Sequence, residues 1–195
     1  MDGMQWMASA MNAARSQLET ATQNLANVSS DGYRRFTTTL ALSEQGLVAR
    51  QERPFEQGAL RHTGRDLDVA IVGEGHFQVG DVWTRSGAFV RDRDGYLTDD
   101  RGRRLMAACG PVRLPPDGTI SPDGVIRAQG RVLDRIPLPA GSTLQTGALE
   151  ASNVNAIGET LDVLNAQRAF ETAQKVLVAI DGAREHAVND VARLK

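Results

Sequence analysis

Three histidines, one cysteine and a handful of acidic and glycine-rich clusters are the residues of this 195-residue chain whose chemistry could extend beyond packing. His62, His76 and His186 lie far apart, and no two have the short spacing by which a helix or turn presents imidazoles to one metal ion. Cys109 is the sole thiol, which excludes an intramolecular disulfide and a zinc site built on several thiolates. Asp92, Asp94 and Gly95 have the opening rhythm of a calcium loop. The helical flanks and later ligands of an EF-hand are missing, so the segment reads as a hairpin turn. Gly73, Gly75 and Gly80 are not followed by the lysine that a phosphate loop needs, and read as glycines between strands. Arg101, Arg103 and Arg104 form a small basic cluster, either a solvated hairpin end or a contact with a neighbouring chain. No serine, cysteine or carboxylate pair has neighbours that would make it a nucleophile or general base. The chain nominates no catalytic residue, no metal site and no cofactor, and we expect it not to be an enzyme.

Bulk properties narrow the partners. A formal net charge of −2 and aromatic content of 5% supply neither the field nor the stacking surface for nucleic acid. With 41% hydrophobic residues the chain can build a core. No apolar stretch is long enough to span a bilayer, so membrane insertion is not expected. The first residues lack a basic region followed by a continuous apolar run, so no cleaved secretory signal is expected.

The elements that would position any site are most legible at the two ends. Apolar residues fall at Met4, Met7, Met11, Ala14, Leu18, Ala21, Leu25 and Val28, and again at Val163, Ala166, Phe170, Ala173, Leu177 and Ile180, resuming at Ala187, Val191 and Leu194. Alternating steps of three and four residues make a narrow helical seam that seeks another helix. The first helix is predicted over 4–28, with Gly32 as its closing glycine. The second spans 155–194, with Ser152, Asn153 and Asn155 as candidate caps, Glu159 at the positive end of its dipole, and Gly182 as a point where it could bend or stop. The small residues Ala14, Ala21, Ala166 and Ala173 permit close approach. Isolated helices of this kind are marginal in water, so we expect the termini to order when seams from several molecules meet. A two-helix hairpin packed on its own sheet is the open alternative.

All 7 prolines lie between Pro54 and Pro139. Asp-Gly pairs at 94–95, 117–118 and 123–124 punctuate short apolar runs, among them Val69 and Ile71, Phe77 and Val79, Leu105 and Met106, Val112 and Leu114, and Val125 and Ile126, which predicts many short strands. Residues 33–50, with the Thr37–Thr39 run, read as extended rather than helical. The expected fold class is α+β: N- and C-terminal helices paired as a coiled coil, with a central antiparallel β domain. The expected divisions are an N-terminal axial helix at 1–32, a linker or extended segment at 33–57, a β domain at 58–147 and a C-terminal axial helix at 148–195.

Three ordered blocks carry a family resemblance across nearly the whole chain. Asn24-Leu25-Ala26-Asn27-Val28 followed by Gly32-Tyr33-Arg34-Arg35 resembles the N-terminal signature of bacterial flagellar rod and hook proteins. Leu149-Glu150-Ala151-Ser152-Asn153-Val154-Asn155, then Ala166-Gln167-Arg168-Ala169-Phe170-Glu171, resembles their closing signature. Between them, the stretches Thr63–Ile71, Gly73–Phe77 and Trp83–Phe89 resemble a segment shared by proximal rod, distal rod and hook proteins. His76 stands where the family usually has a second aromatic.

The resemblance implies a structural subunit of the flagellar basal-body rod. Its helices would pair as a coiled coil lining an inner tube and polymerise to transmit torque, with the β domain facing outward. Its partners would be itself, other rod subunits and, during secretion, the flagellar type III export apparatus, which needs no cleaved signal. The compact stretch from Tyr33 to Gly58 lacks the insertion expected of a distal rod protein and favours the proximal, F-type position. A distal rod or hook-type axial subunit, and a dimeric β-domain binding module, are the alternatives. The expected assembly interface comprises Met4, Met7, Met11, Leu18, Leu25, Asn27 and Val28 from the first helix region, and Asn153, Asn155, Val163, Gln167, Arg168, Phe170, Leu177 and Ile180 from the second. Gln167 and Arg168 are assigned there to fix register between subunits.

Overall fold

The computed structural model describes residues 3–44 and 46–193, with side chains described through residue 186. The chain is α+β, with a helix at each end and a β-rich middle. It divides into two units. One holds the chain's two ends, through residue 28 and from 154 onward, together with residues 35–54; the other holds residues 29–34 and 55–153.

The helical unit is built on α1 (Gly3–Ala26) and α2 (Ala156–Arg193). They run antiparallel: Gly3 lies beside Ile180, and Asn24 reaches Glu159. α2 continues through Gly182 without a break, so the helix does not stop there. Its cap is Asn155, whose Oδ1 accepts from the amides of Ile157 and Gly158 at 3.1 and 3.3 Å and satisfies two donors of the first turn. The extended stretch after α1 forms a hairpin of β1 (Thr37–Ser43) and β2 (Gly46–Glu52), paired from Thr37↔Glu52 to Ser43↔Gly46. The seam position Leu194 lies outside the described residues, and the side chains of Ala187 and Val191 lie outside those described.

In the second unit every strand pair is antiparallel among the described residues. β3 (Leu60–His62) pairs with β15 (Ala148–Glu150), and β4 (Val69–Val72) pairs with β14 (Thr143–Thr146). Segments far apart in sequence thus close the unit. Between them, β5 (Phe77–Val79), β6 (Val82–Thr84), β9 (Leu105–Ala107) and β10 (Gly110–Pro111) form one sheet in the order β10-β9-β5-β6. β7 (Val90–Arg91) and β8 (Leu97–Thr98) form a short hairpin. β11 (Thr119–Ile120), β12 (Val125–Ala128) and β13 (Arg131–Arg135) form a third small sheet. Pro111 falls on an edge strand, where its missing amide costs no ladder bond. The alternating apolar runs converge on one core of Val69, Ile71, Phe77, Val79, Phe89, Leu97, Leu105, Ile126 and their neighbours. Phe77 and Phe89 meet edge to face at 5.3 Å.

The turn at Asp92–Gly95 shows why a calcium loop was resembled but not built. Asp92 Oδ1 accepts from the amides of Asp94 and Tyr96 at 2.9 and 2.8 Å, so its carboxylate closes the turn itself. The nearby arginines are also engaged: Arg103 pairs with Asp99, and Arg104 stacks over Tyr96 at 4.0 Å.

Candidate assembly interface

α1 carries two working faces. The first is the seam read from the sequence, and it packs on the seam of α2. Ala14, Ala21, Ala166 and Ala173 are buried, with Ala14 and Ala166 only 4% and 3% exposed. The larger residues Met4, Met7, Met11, Leu18, Leu25 and Val28, and Val163, Phe170, Leu177 and Ile180 opposite, are half-buried. Small residues at the centre let the backbones approach, and the large side chains flank them with part of their surface still open. The seams of one chain therefore meet each other.

The second face of α1 has no apolar period and receives the β1–β2 hairpin. Ser9 Oγ accepts from the Leu47 amide at 3.1 Å. Thr20 Oγ1 receives the Thr38 hydroxyl at 2.7 Å and the Gln51 side-chain amide at 2.6 Å, and donates to the Ser16 carbonyl at 2.8 Å. Asn24 is fully buried and makes the most consequential contacts: Oδ1 accepts from the Phe36 amide at 2.9 Å, and Nδ2 donates to the Phe36 carbonyl at 2.8 Å and to Glu159 Oε2 at 3.1 Å. One side chain thereby mimics a strand partner for Phe36 and ties α1 to the first turn of α2. Glu159, 3% exposed, also pairs with Arg35 at 3.4 Å. Reading Glu159 only as a dipole-compensating carboxylate missed this role. Asn24 opens the Asn24–Val28 motif, but nothing in its spacing signals burial.

Of the other expected interface residues, Asn27 donates to the Gln23 carbonyl at 2.8 Å, and Asn155 caps α2. Asn153 belongs to the β unit, where its amide donates to the Tyr33 carbonyl at 3.3 Å and its side chain to the Glu56 carbonyl at 3.0 Å. Gln167 and Arg168 are exposed. Arg168 does not lie beside the α1-facing seam; it lies on the opposite side of α2, two turns past Leu161.

Gly32 corrects the expected helix end. α1 stops at Ala26, and Gly32 lies within the strap of residues 29–34 that belongs to the β unit. Its φ of +70° and its amide's 2.6 Å bond to the Glu150 carbonyl place it against the chain at Arg85 and Ser86. An added Cβ would meet the Ser86 nitrogen at 2.3 Å, so only glycine fits. Beneath the strap lies a buried ion pair. Arg85 Nε donates to Glu150 Oε2 at 2.7 Å, and its Nη atoms donate to the carbonyls of Ile71, Gly73 and Gly75. Glu150 Oε1 accepts the Gly58 amide at 3.2 Å. Both partners are at most 2% exposed. Arg34 donates to His76 Nε2 at 2.7 Å and stacks on Phe55. A guanidinium only donates, so that ring nitrogen accepts. These arginines organise backbone; among the described residues no group of three metal-ligating side chains occurs.

Carboxylates elsewhere in the β unit are tuned by neighbours. Burial pushes Asp68 up, but hydrogen bonds from Arg65 and Thr63 and the charges of Arg65 and Arg61 outweigh it and hold the carboxyl below the usual range. Asp99 behaves alike: burial is outweighed by bonds from Arg103 and the amide of Arg101.

The chain was compared with known proteins. Residues 4–34 match the family described as flagella basal body rod protein. Residues 145–189 match the C-terminal family described as flagellar basal body rod FlgEFG protein. The flagellar basal-body rod protein FlgG of Agrobacterium fabrum is 29% identical over 247 aligned positions, covering 89% of this chain and 93% of that protein. The rod protein FlgF of Caulobacter vibrioides is 28% identical over 232 positions, covering 92% of each. The flagellar hook protein FlgE of Brucella abortus is 35% identical over 116 positions, covering 51% of this chain and 29% of that protein. The two rod-protein alignments are longer than the chain, so both relatives carry residues that have no counterpart here.

Proposed function

We propose that this chain, similar to flagellar basal-body rod proteins over nearly its whole length, is a structural subunit of that rod, and that its terminal helices pair as a coiled coil and polymerise with other axial subunits to carry torque. The supporting observation is that the two family-matched regions, 4–34 and 145–189, contain all of α1 but its first residue and most of α2, whose seams pack together. A chain that spends its two most recognisable segments on one helical pair does its work by packing. The half-buried seam residues, from Met4 to Val28 and from Val163 to Ile180, are the surface we assign to assembly, together with Asn27, Asn153, Asn155, Gln167 and Arg168. The β domain contributes lateral contacts.

We further propose export through the flagellar type III apparatus without a cleaved signal, and a proximal, F-type position. The β1–β2 hairpin is compact where a distal subunit is expected to carry an insertion. In cells lacking the chromosomal copy, replacement with Leu25→Asp or Phe170→Asp should yield basal bodies without hooks when detergent extracts are imaged. Intact hooked basal bodies would refute the assembly role. Retention of the chain in basal bodies from a strain without the distal subunit would support the proximal position; its loss would exclude it.

A further inference from the structure

We propose that the face of α2 turned away from α1 docks on the free face of α1 in a second copy of this chain, with Glu19 meeting Arg168 and Arg15 meeting Glu171. The inference rests on the assembly reading above and assigns it a contact surface and a register. On α2, Ile157, Leu161 and Leu164 are 76%, 56% and 44% exposed, at the four- and three-residue steps that align side chains on one helical stripe. The same steps continue through the exposed Arg168, Glu171 and Lys175 to Val178, which is 66% exposed. Ala166, Phe170 and Ala173, which face α1, lie on the opposite side of the helix.

α1 carries a matching stripe away from both its seam and its hairpin face. Ala8, Asn12, Arg15, Glu19, Thr22 and Ala26 follow the same alternating steps, and all are exposed. Arg15 and Glu19 pair at 2.8 Å on that surface. Laid antiparallel, the two stripes match in one register. Ala26 meets Leu161, and Thr22 meets Leu164. Glu19 then faces Arg168, Arg15 faces Glu171, and Ala8 faces Val178. Large aliphatic groups meet small ones, Arg168 and Glu171 each meet an opposite charge, and Lys175 faces the neutral Asn12. A parallel arrangement can also pair the charges, but it sets Leu161 beyond Ala8, against Gln5, so the aliphatic end of the stripe favours the antiparallel one. This register is displaced by about one helical turn, ~5 Å, from the α1–α2 register within a chain. The contact joins different faces of the two copies, so it does not close on itself as a dimer and propagates into a staggered array.

Cross-linking tests the assignment. Cells lacking the chromosomal copy would co-express two forms in a Cys109→Ser background, one with Ala26→Cys and one with Leu161→Cys, and extracted basal bodies would be treated with a short bis-maleimide. A product of twice the chain mass is expected, with none from Ala8→Cys and Leu161→Cys. Arg168→Glu should cut the yield roughly tenfold by setting like charges together, and adding Glu19→Arg should restore it. A product from Ala8→Cys with Leu164→Cys instead would establish the parallel arrangement and overturn the register. Products joining Leu161→Cys to a different subunit would overturn the second copy as occupant. Incorporation without cross-links would overturn the contact while leaving the assembly role standing; failure of the unsubstituted chain to enter basal bodies would defeat the assembly role itself. Should the cysteine variants fail to incorporate, the same pairs mixed as purified chains at high concentration decide, absence of the product again overturning the contact.

Discussion

The β unit and the helical unit satisfy their residues in opposite ways. In the β unit large apolar side chains such as Phe77, Leu105 and Ile126 are completely buried. Its one deeply buried ion pair, Arg85–Glu150, is hydrogen-bonded on all sides by backbone. Among the described apolar residues of the two helices only alanines are buried, and Ile157, Leu161 and Val178 are exposed. The contrast teaches that a core closes where strands from distant segments can surround a side chain. A pair of long helices encloses a line rather than a volume and leaves surface for other helices.

Breaking the β unit should cost most. Glu150→Ala would leave Arg85 buried without its counter-charge, and should destabilise the unit by about 3–5 kcal/mol in urea unfolding followed by near-ultraviolet signals. If Glu150→Ala unfolded no earlier than the parent, the buried pair would not be what holds this unit together. In the helical unit Asn24→Ala should cost about 1–3 kcal/mol, because the Phe36 amide and carbonyl lose their partner. Far-ultraviolet dichroism during thermal unfolding would measure it, and a loss confined to the hairpin would show that Asn24 does not tie the helices together.

Acid should separate the units further. Asp68 and Asp99 titrate below their ordinary range when folded, so the stability they contribute is complete above about pH 4, the unfolded aspartate value, and declines as pH falls through and below it. The β unit should therefore lose stability over that acid range, and Asp68→Asn with Asp99→Asn should flatten the profile. The smallest effect belongs to Leu161→Ser: its side chain is exposed, so the isolated chain should change by no more than about 0.5 kcal/mol. A large loss of stability there would place Leu161 in a core within the chain and erase the contrast drawn between the units.

Much of this was legible in the residues. The alternating steps from Met4 to Val28 and from Val163 to Ile180 located both helices, and the alanines within them marked where backbones come together. The Asp-Gly pairs and short apolar runs located most strands of the middle. The hairpin face of α1 was not legible, because Ser9, Thr20 and Asn24 act through hydrogen bonds whose partners follow no helical period. Gly32 misled for a related reason. A glycine beyond a helix suits a cap, but this one is required by a backbone passing at Arg85, far along the chain.

Periodicity and composition determined by themselves that this protein has helical ends and a β-rich middle, because these properties depend on neighbours a few residues apart. The tertiary structure alone decided that Asn24 joins Phe36 to Glu159, that Asn155 is the cap, and that Arg85 and Glu150 meet inside the β unit. Those contacts join positions as much as 135 residues apart. A buried polar group takes whichever partner the folded chain brings within reach, and local spacing carries no record of that choice.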